Sequence, residues 1–94
     1  IKMVIDAAHR NNIWVGVCGE MAGDITLTPL LLGLGVDELS ASSTVVPRVK
    51  KAVQSLSIPV CEDLARAALE TDNSFAILHQ CLEVASTHYA ELLD

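Results

Sequence analysis

Ninety-four residues are enough for one small hydrophobic core and too few for a large α/β domain. Twelve Asp and Glu against six Lys and Arg leave a formal net charge of −6, with no basic patch interleaved with aromatics, which argues against nucleic acid or an anionic membrane surface as partner. No apolar run approaches the roughly 18 residues of a membrane span, no signal-peptide pattern is present, and three cysteines fit reduced thiols in a cytoplasmic protein better than a disulfide framework.

Residues 1–12 read as the tail of an amphipathic helix. Ile1, Val4, Ile5 and Ala8 share one face, Lys2, Asp6, His9 and Arg10 lie elsewhere, and Asn11-Asn12 ends the helix. His9 is expected to be a solvated helix residue. Ile13 to Val17 carries no polar side chain, is rich in β-branched residues and is short, which suits a strand covered on both faces in a parallel sheet. Cys18 stands at its carboxyl end. Gly19 and Gly23 let the chain turn sharply there and leave the thiol facing a cleft. Reactive groups in α/β folds sit just past parallel strands. Free cysteine is also among the residues most often buried as a small hydrophobe, and the strand and glycines alone do not choose between packing and chemistry.

A helix follows, with Thr28 as N-cap and Pro29 at the first helical position, where a missing N–H costs nothing; Gly33 and Gly35 are expected to stop it. Val36 to Ala41 is a second short strand, and the order strand, helix, strand suits a right-handed parallel crossover. Ser40, Ser42, Ser43 and Thr44 fall on the same rim as Cys18. They read first as turn and cap residues, with contact to a phosphate or an ordered water as the sharper alternative. Val46 to Leu56 is a helix with Pro47 near its start, an apolar face of Val49, Ala52, Val53 and Leu56, and a solvated side of Arg48, Lys50 and Lys51.

Ser57-Ile58-Pro59 breaks the chain, and a further helix to Leu69 carries Cys61, Leu64, Ala65, Ala68 and Leu69 as one stripe, so Cys61 reads as core. Thr71 to Ser74 caps a last helix in which Phe75, Leu78, Leu82, Ala85, Tyr89 and Leu92 repeat at steps of three and four. That seam needs a partner, either a neighbouring wall of the same domain or a second copy of the chain. His79, Cys81, Glu83 and His88 share this helix, but positions 79 and 81 point about 200° apart, and neither C-x-x-C nor H-E-x-x-H occurs, so no zinc site is expected.

Three blocks then stand out: Val17-Cys18-Gly19-Glu20-Met21-Ala22-Gly23-Asp24, Leu30-Leu31-Leu32-Gly33-Leu34-Gly35-Val36-Asp37-Glu38-Leu39-Ser40-Ala41-Ser42, and Val46-Pro47-Arg48-Val49-Lys50. In this order and spacing they resemble the C-terminal end of the Enzyme I family of the bacterial sugar phosphotransferase system, the phosphoenolpyruvate-protein phosphotransferases, within the PEP-utilising enzymes. The resemblance covers residues 1–69 and is weak from Thr71 onward. It implies an α/β fold: a helix-rich C-terminal fragment, about the last two β/α units, of a (β/α)8 barrel. Residues 1–69 would be the family-like part and residues 70–94 a C-terminal helix. A complete barrel needs roughly 250 residues, so a chain opening on Ile1 is expected to be a piece of a longer protein, and a hydrophobic fraction of 51% suits segments that neighbours cover.

The resemblance further implies a parent that binds phosphoenolpyruvate, releases pyruvate, and moves the phosphoryl group to one of its own histidines and on to a phosphocarrier protein. The parent is expected to be a cytoplasmic homodimer assisted by Mg2+, whose ligands, like the phosphorylated histidine, lie outside this chain. Cys18 matches the family's cysteine that protonates the enol carbon. A thiol serves that task as the neutral acid, which its ordinary pKa of about 8.5 and the absence of a neighbouring cation in the motif allow, whereas a cysteine nucleophile needs a base or cation beside it. Glu20 nearby pushes in the same direction. Pyruvate phosphate dikinase and PEP synthase share the barrel and the cysteine but differ in the turn after it. A non-catalytic interaction module with a degenerate barrel end is the remaining alternative, and the isolated 94 residues are expected to be inactive.

Overall fold

A computed structural model describes residues 1–93; Asp94, the end of the expected C-terminal stretch, lies outside the described residues. Helix α1 spans Lys2–Arg10, with Lys2 and Asp6 paired at 3.0 Å across one turn. Of its apolar stripe only Ile5 is buried; Ile1 and Val4, expected on the same face, are exposed. The helix ends at Asn11, and Asn12 takes a φ of 59°, a left-handed setting that asparagine tolerates. Strand β1 is Gly16–Cys18, shorter than the apolar run and shifted to its carboxyl end. Where a plain turn was expected there is a short helix, α2, over Glu20–Gly23.

Helix α3 spans Thr28–Leu34, with Pro29 in its first turn. Leu27, not Thr28, is the N-cap, and the Thr28 hydroxyl is buried and makes no capping bond. Gly33 does not stop the helix; the chain leaves it at Gly35, where φ is 100°. Strand β2 (Glu38–Ser40), α4 (Val46–Gln54), α5 (Ile58–Leu69) and α6 (Ser74–Tyr89) follow, and a 3-10 turn over Ala90–Leu92 succeeds α6. Pro47 in the first turn of α4 falls where the sequence placed it, whereas Ile58 and Pro59, read as part of a break, form the first turn of α5.

The two strands pair in parallel, Gly16 with Glu38, Val17 with Leu39 and Cys18 with Ser40. Side chains alternate across a strand. Val17 and Leu39 turn toward the helices, while Gly16, Cys18, Glu38 and Ser40 are exposed on the other face. The expectation of a strand covered on both faces is therefore corrected: within the described residues the pair is covered on one side only, and Ile13 and Trp14 before it are exposed, Trp14 to 65%.

Two hydrophobic clusters form that covering layer. One joins Ile5, Leu31, Leu34, Val36 and Ala65, and the other Ile25, Val49, Ala52, Ala85 and Tyr89; Leu39 packs against both. The tightest approach lies between α3 and α5. A Cβ on Gly33 would stand 1.9 Å from the carbonyl oxygen of Cys61, so the two helices meet backbone to backbone, which explains a glycine inside a helix.

On α6 the later half of the expected seam holds, with Ala85 and Tyr89 buried and Leu92 packed against their cluster, while its first half does not. Cys81, Ala85 and Tyr89 are buried at i, i+4 and i+8, whereas Phe75, 82% exposed, and Leu78 and Leu82 face outward. The cap was read correctly: the Asn73 side chain accepts hydrogen bonds from the N–H groups of Phe75 and Ala76 at 2.9 and 3.3 Å.

Polar ties also join distant segments. The Asp37 carboxylate accepts the Val15 N–H at 2.8 Å and lies 2.8 Å from His9 Nε2, so His9 is exposed yet bonded, fixing α1 to the entrance of the strands. The Arg48 guanidinium donates to the Leu92 carbonyl, so the side of α4 read as merely solvated clasps the end of the chain.

Gly33→Ala should destabilise the protein by about 3 kcal/mol, the upper part of the usual overpacking range, because the obstructing atom is backbone and cannot swing away; chemical denaturation measures it. The bonds from His9, first, and Val15 hold the Asp37 carboxyl below its ordinary value of 3.8. Folding thus gains from the ionised carboxylate above that value, and the gain is lost as pH falls through the lower, folded-state value. Asp37→Asn should flatten the acid limb of a melting-temperature profile.

Candidate functional site

β1 ends at Cys18, and the next residue, Gly19, takes φ 90° and ψ −157°, a region that side chains with a Cβ resist. The Gly19 N–H donates to the Ser40 carbonyl at 3.1 Å, continuing the ladder by one bond before α2 lifts away. Cys18 is thereby left on the open face of the strand pair at its carboxyl end, exposed, with Ser40 as its cross-strand neighbour on the same face. Ala22, fully buried, pins α2 beneath the loop.

Ser40 Oγ donates to Glu38 Oε1 at 3.2 Å, so a hydroxyl and a carboxylate share the open face with the thiol. Ser42 Oγ and Thr44 Oγ1 lie 3.1 Å apart and bond to one another, the turn-residue role that the sequence favoured. Between the loop after β1 and the loop after β2 lies an open cleft of about 510 Å3, walled by Gly19, Glu20, Gly23, Asp24, Ser42 and Val45. Glu38 was not singled out in the sequence; its spacing of two from Ser40 on a strand was the signal that places both on one face.

The other two cysteines are core, 0% exposed. Burial pushes both thiols above their ordinary range, helped by Glu62 beside Cys61 and by Asp24 near Cys81. His79 pairs with Glu83 at 2.9 Å on the exposed side of α6. Among the described residues no three His, Cys, Asp or Glu side chains converge as a metal site.

A family model described as the PEP-utilising enzyme, PEP-binding domain matches residues 1–58. The chain belongs to the PEP-utilising enzymes. Similar proteins in this family include a phosphoenolpyruvate-protein phosphotransferase of Buchnera aphidicola subsp. Schizaphis graminum, 44% identical over 83% of this chain and 14% of the relative. One of the same name from Haloferax volcanii is 50% identical over 77% of the chain and 13% of the relative. A multiphosphoryl transfer protein of Escherichia coli is 47% identical over 74% of the chain and 8% of the relative. The chain thus spans no more than about one seventh of these relatives' length. The family match takes in α1 through α4 with both strands and Cys18, while all but the first residue of α5 and the whole of α6 lie beyond it.

In the folded protein a thiol reagent should modify Cys18 rapidly and Cys61 and Cys81 only on unfolding. Mass spectrometry of the alkylated protein should give one adduct in buffer and three in denaturant.

Proposed function

We propose that this chain is the C-terminal end of the PEP-binding (β/α)8 barrel of a phosphoenolpyruvate-protein phosphotransferase, comprising its last two β/α units and a C-terminal extension. The barrel reading is supported by a strand pair with two free edges and one bare face, by exposed Ile13 and Trp14 ahead of β1, and by an apolar groove of about 370 Å3 beyond β2, lined by Leu32, Val36, Val46, Val49 and Val53. In a closed barrel each of these is covered by a neighbouring unit, and strand edges are paired.

The observation that carries the functional reading is the exposed thiol of Cys18 on the open strand face at the carboxyl end of β1. In the parent, phosphoenolpyruvate gives its phosphoryl group to a histidine on another domain, for onward transfer to a phosphocarrier protein, and leaves an enolate. Cys18 gives its proton to C3 of that enolate. The enol π pair becomes the new C–H bond, the oxygen charge collapses into the ketone carbonyl of pyruvate, and the thiolate regains a proton from solvent. Gly19 and α2 follow Cys18 directly and wall the neighbouring cleft, and the thiol is exposed rather than in the core. Mg2+ would be held by segments of the parent outside this chain, and the 94 residues alone should show no turnover.

The test uses the full-length parent in D2O, following deuterium at C3 of pyruvate together with histidine phosphorylation. Cys18→Ala should slow C3 protonation by about 10²–10⁴-fold, the usual share of a general acid, while single-turnover phosphorylation persists. Unchanged rates for both would make Cys18 a packing residue and favour a non-catalytic interaction module.

A further inference from the structure

Tyr89 lies near the end of α6, in the part of the chain that the family match does not reach, yet it touches the loop that follows Cys18. Its ring is fully buried and its O–H donates to the Ile25 carbonyl at 2.6 Å, a bond joining residues 64 apart. Ile25 follows Asp24, the C-cap of α2, and α2 begins two residues after Cys18. The loop therefore has an anchor at each end: the Gly19 N–H on the Ser40 carbonyl, and the Ile25 carbonyl on the Tyr89 hydroxyl. Asp24 itself accepts the Thr26 N–H at 2.9 Å, closing the turn between the anchors' far end and α3.

From this geometry we infer that Tyr89 is a positioning residue, which acts through Ile25 and α2 to set where the Cys18 thiol stands relative to the bound enolate. A buried carbonyl has no alternative donor once the hydroxyl is gone, so the loop must either strand that oxygen or move it toward water. Movement there shifts α2 as a unit, because Ala22 is packed at 0% exposure and leaves no slack on the inner side. The end of the chain is in turn held to α4 by Arg48 on the Leu92 carbonyl, which keeps Tyr89 from sliding with the loop. The extension after the family match is thus part of the apparatus that aims the thiol, and this inference rests on Cys18 being the proton donor.

Tyr89→Phe in the full-length parent is the test, because it keeps the ring and deletes only the hydroxyl. Val49→Ala, in the same buried cluster but with no side-chain hydrogen bond to the Ile25 carbonyl to lose, serves as the control for lost stability. With phosphoenolpyruvate labelled stereospecifically at C3 in D2O, Tyr89→Phe should slow proton delivery roughly tenfold, as a small misplacement of a reacting group does. It should also scramble the configuration of the methyl group formed, with histidine phosphorylation unchanged; Val49→Ala should keep wild-type stereochemistry. Tyr89→Phe behaving like Val49→Ala, with lower melting temperature and intact stereochemistry, overturns the inference. A Cys18→Ala protein that protonates C3 at the wild-type rate overturns the reading beneath it instead, so the two failures are separable.

Discussion

Val17 and Leu39, the middle residues of two three-residue strands, impose the constraint from which the rest of the layout follows. A parallel pair this short has no stability of its own, and only one residue of each strand faces the helices. Every helix that packs does so on that side: α1 through Ile5, α3 through Leu31 and Leu34, α5 through Ala65, and α4 and α6 through the second cluster. The opposite face carries the thiol, polar Glu38 and Ser40 bonded to each other, and the exposed Trp14 ring, 3.5 Å from where a Cβ on Gly16 would stand. One-sided burial and an exposed reactive group are thus two aspects of the same alternation along the strand.

Packing then narrows from strands to helices. The α3–α5 approach at Gly33 is set by backbone atoms, not by side chains that can adjust, so α5 has one seat on α3. With α5 seated, the loop 70–73 delivers α6 across the second cluster, and small residues at 81 and 85 let it lie close enough for Tyr89 to reach Ile25. Burial pushes the Tyr89 hydroxyl well above its ordinary range, with Cys61, Cys81 and Asp24 adding to the effect, so it is a permanent donor at any pH the fold meets.

The order of elements was legible because its signals are local. Prolines at 29 and 47 mark helix starts through their missing N–H, the turn from Thr71 to Ser74 marks another through the Asn73 side-chain oxygen, and Gly35 marks an end through its left-handed φ. The placement of Cys18 at a strand end was legible for the same reason. What could not be read depended on partners far along the chain. On α6 periodicity counts apolar residues without weighing which side a neighbour occupies, so Phe75, Leu78 and Leu82 were joined to Ala85 and Tyr89 in one seam; the burial runs instead through Cys81, Ala85 and Tyr89, because small residues at 81 and 85 admit a close neighbour. The ties of His9 to Asp37, Arg48 to Leu92 and Tyr89 to Ile25 span 28, 44 and 64 residues, beyond any window of sequence pattern.

Leu39 belongs to both hydrophobic clusters, and this makes them thermodynamically one. A chain with two separable cores can lose its last helix and keep the remainder; here the helix at one end and the strand pair at the other share a side chain, so loosening either exposes the same leucine. The reactive loop lies between the clusters and draws its rigidity from both. Its order therefore draws on packing at both ends of the chain, with the Tyr89 hydroxyl as the point where the last helix bears on it directly.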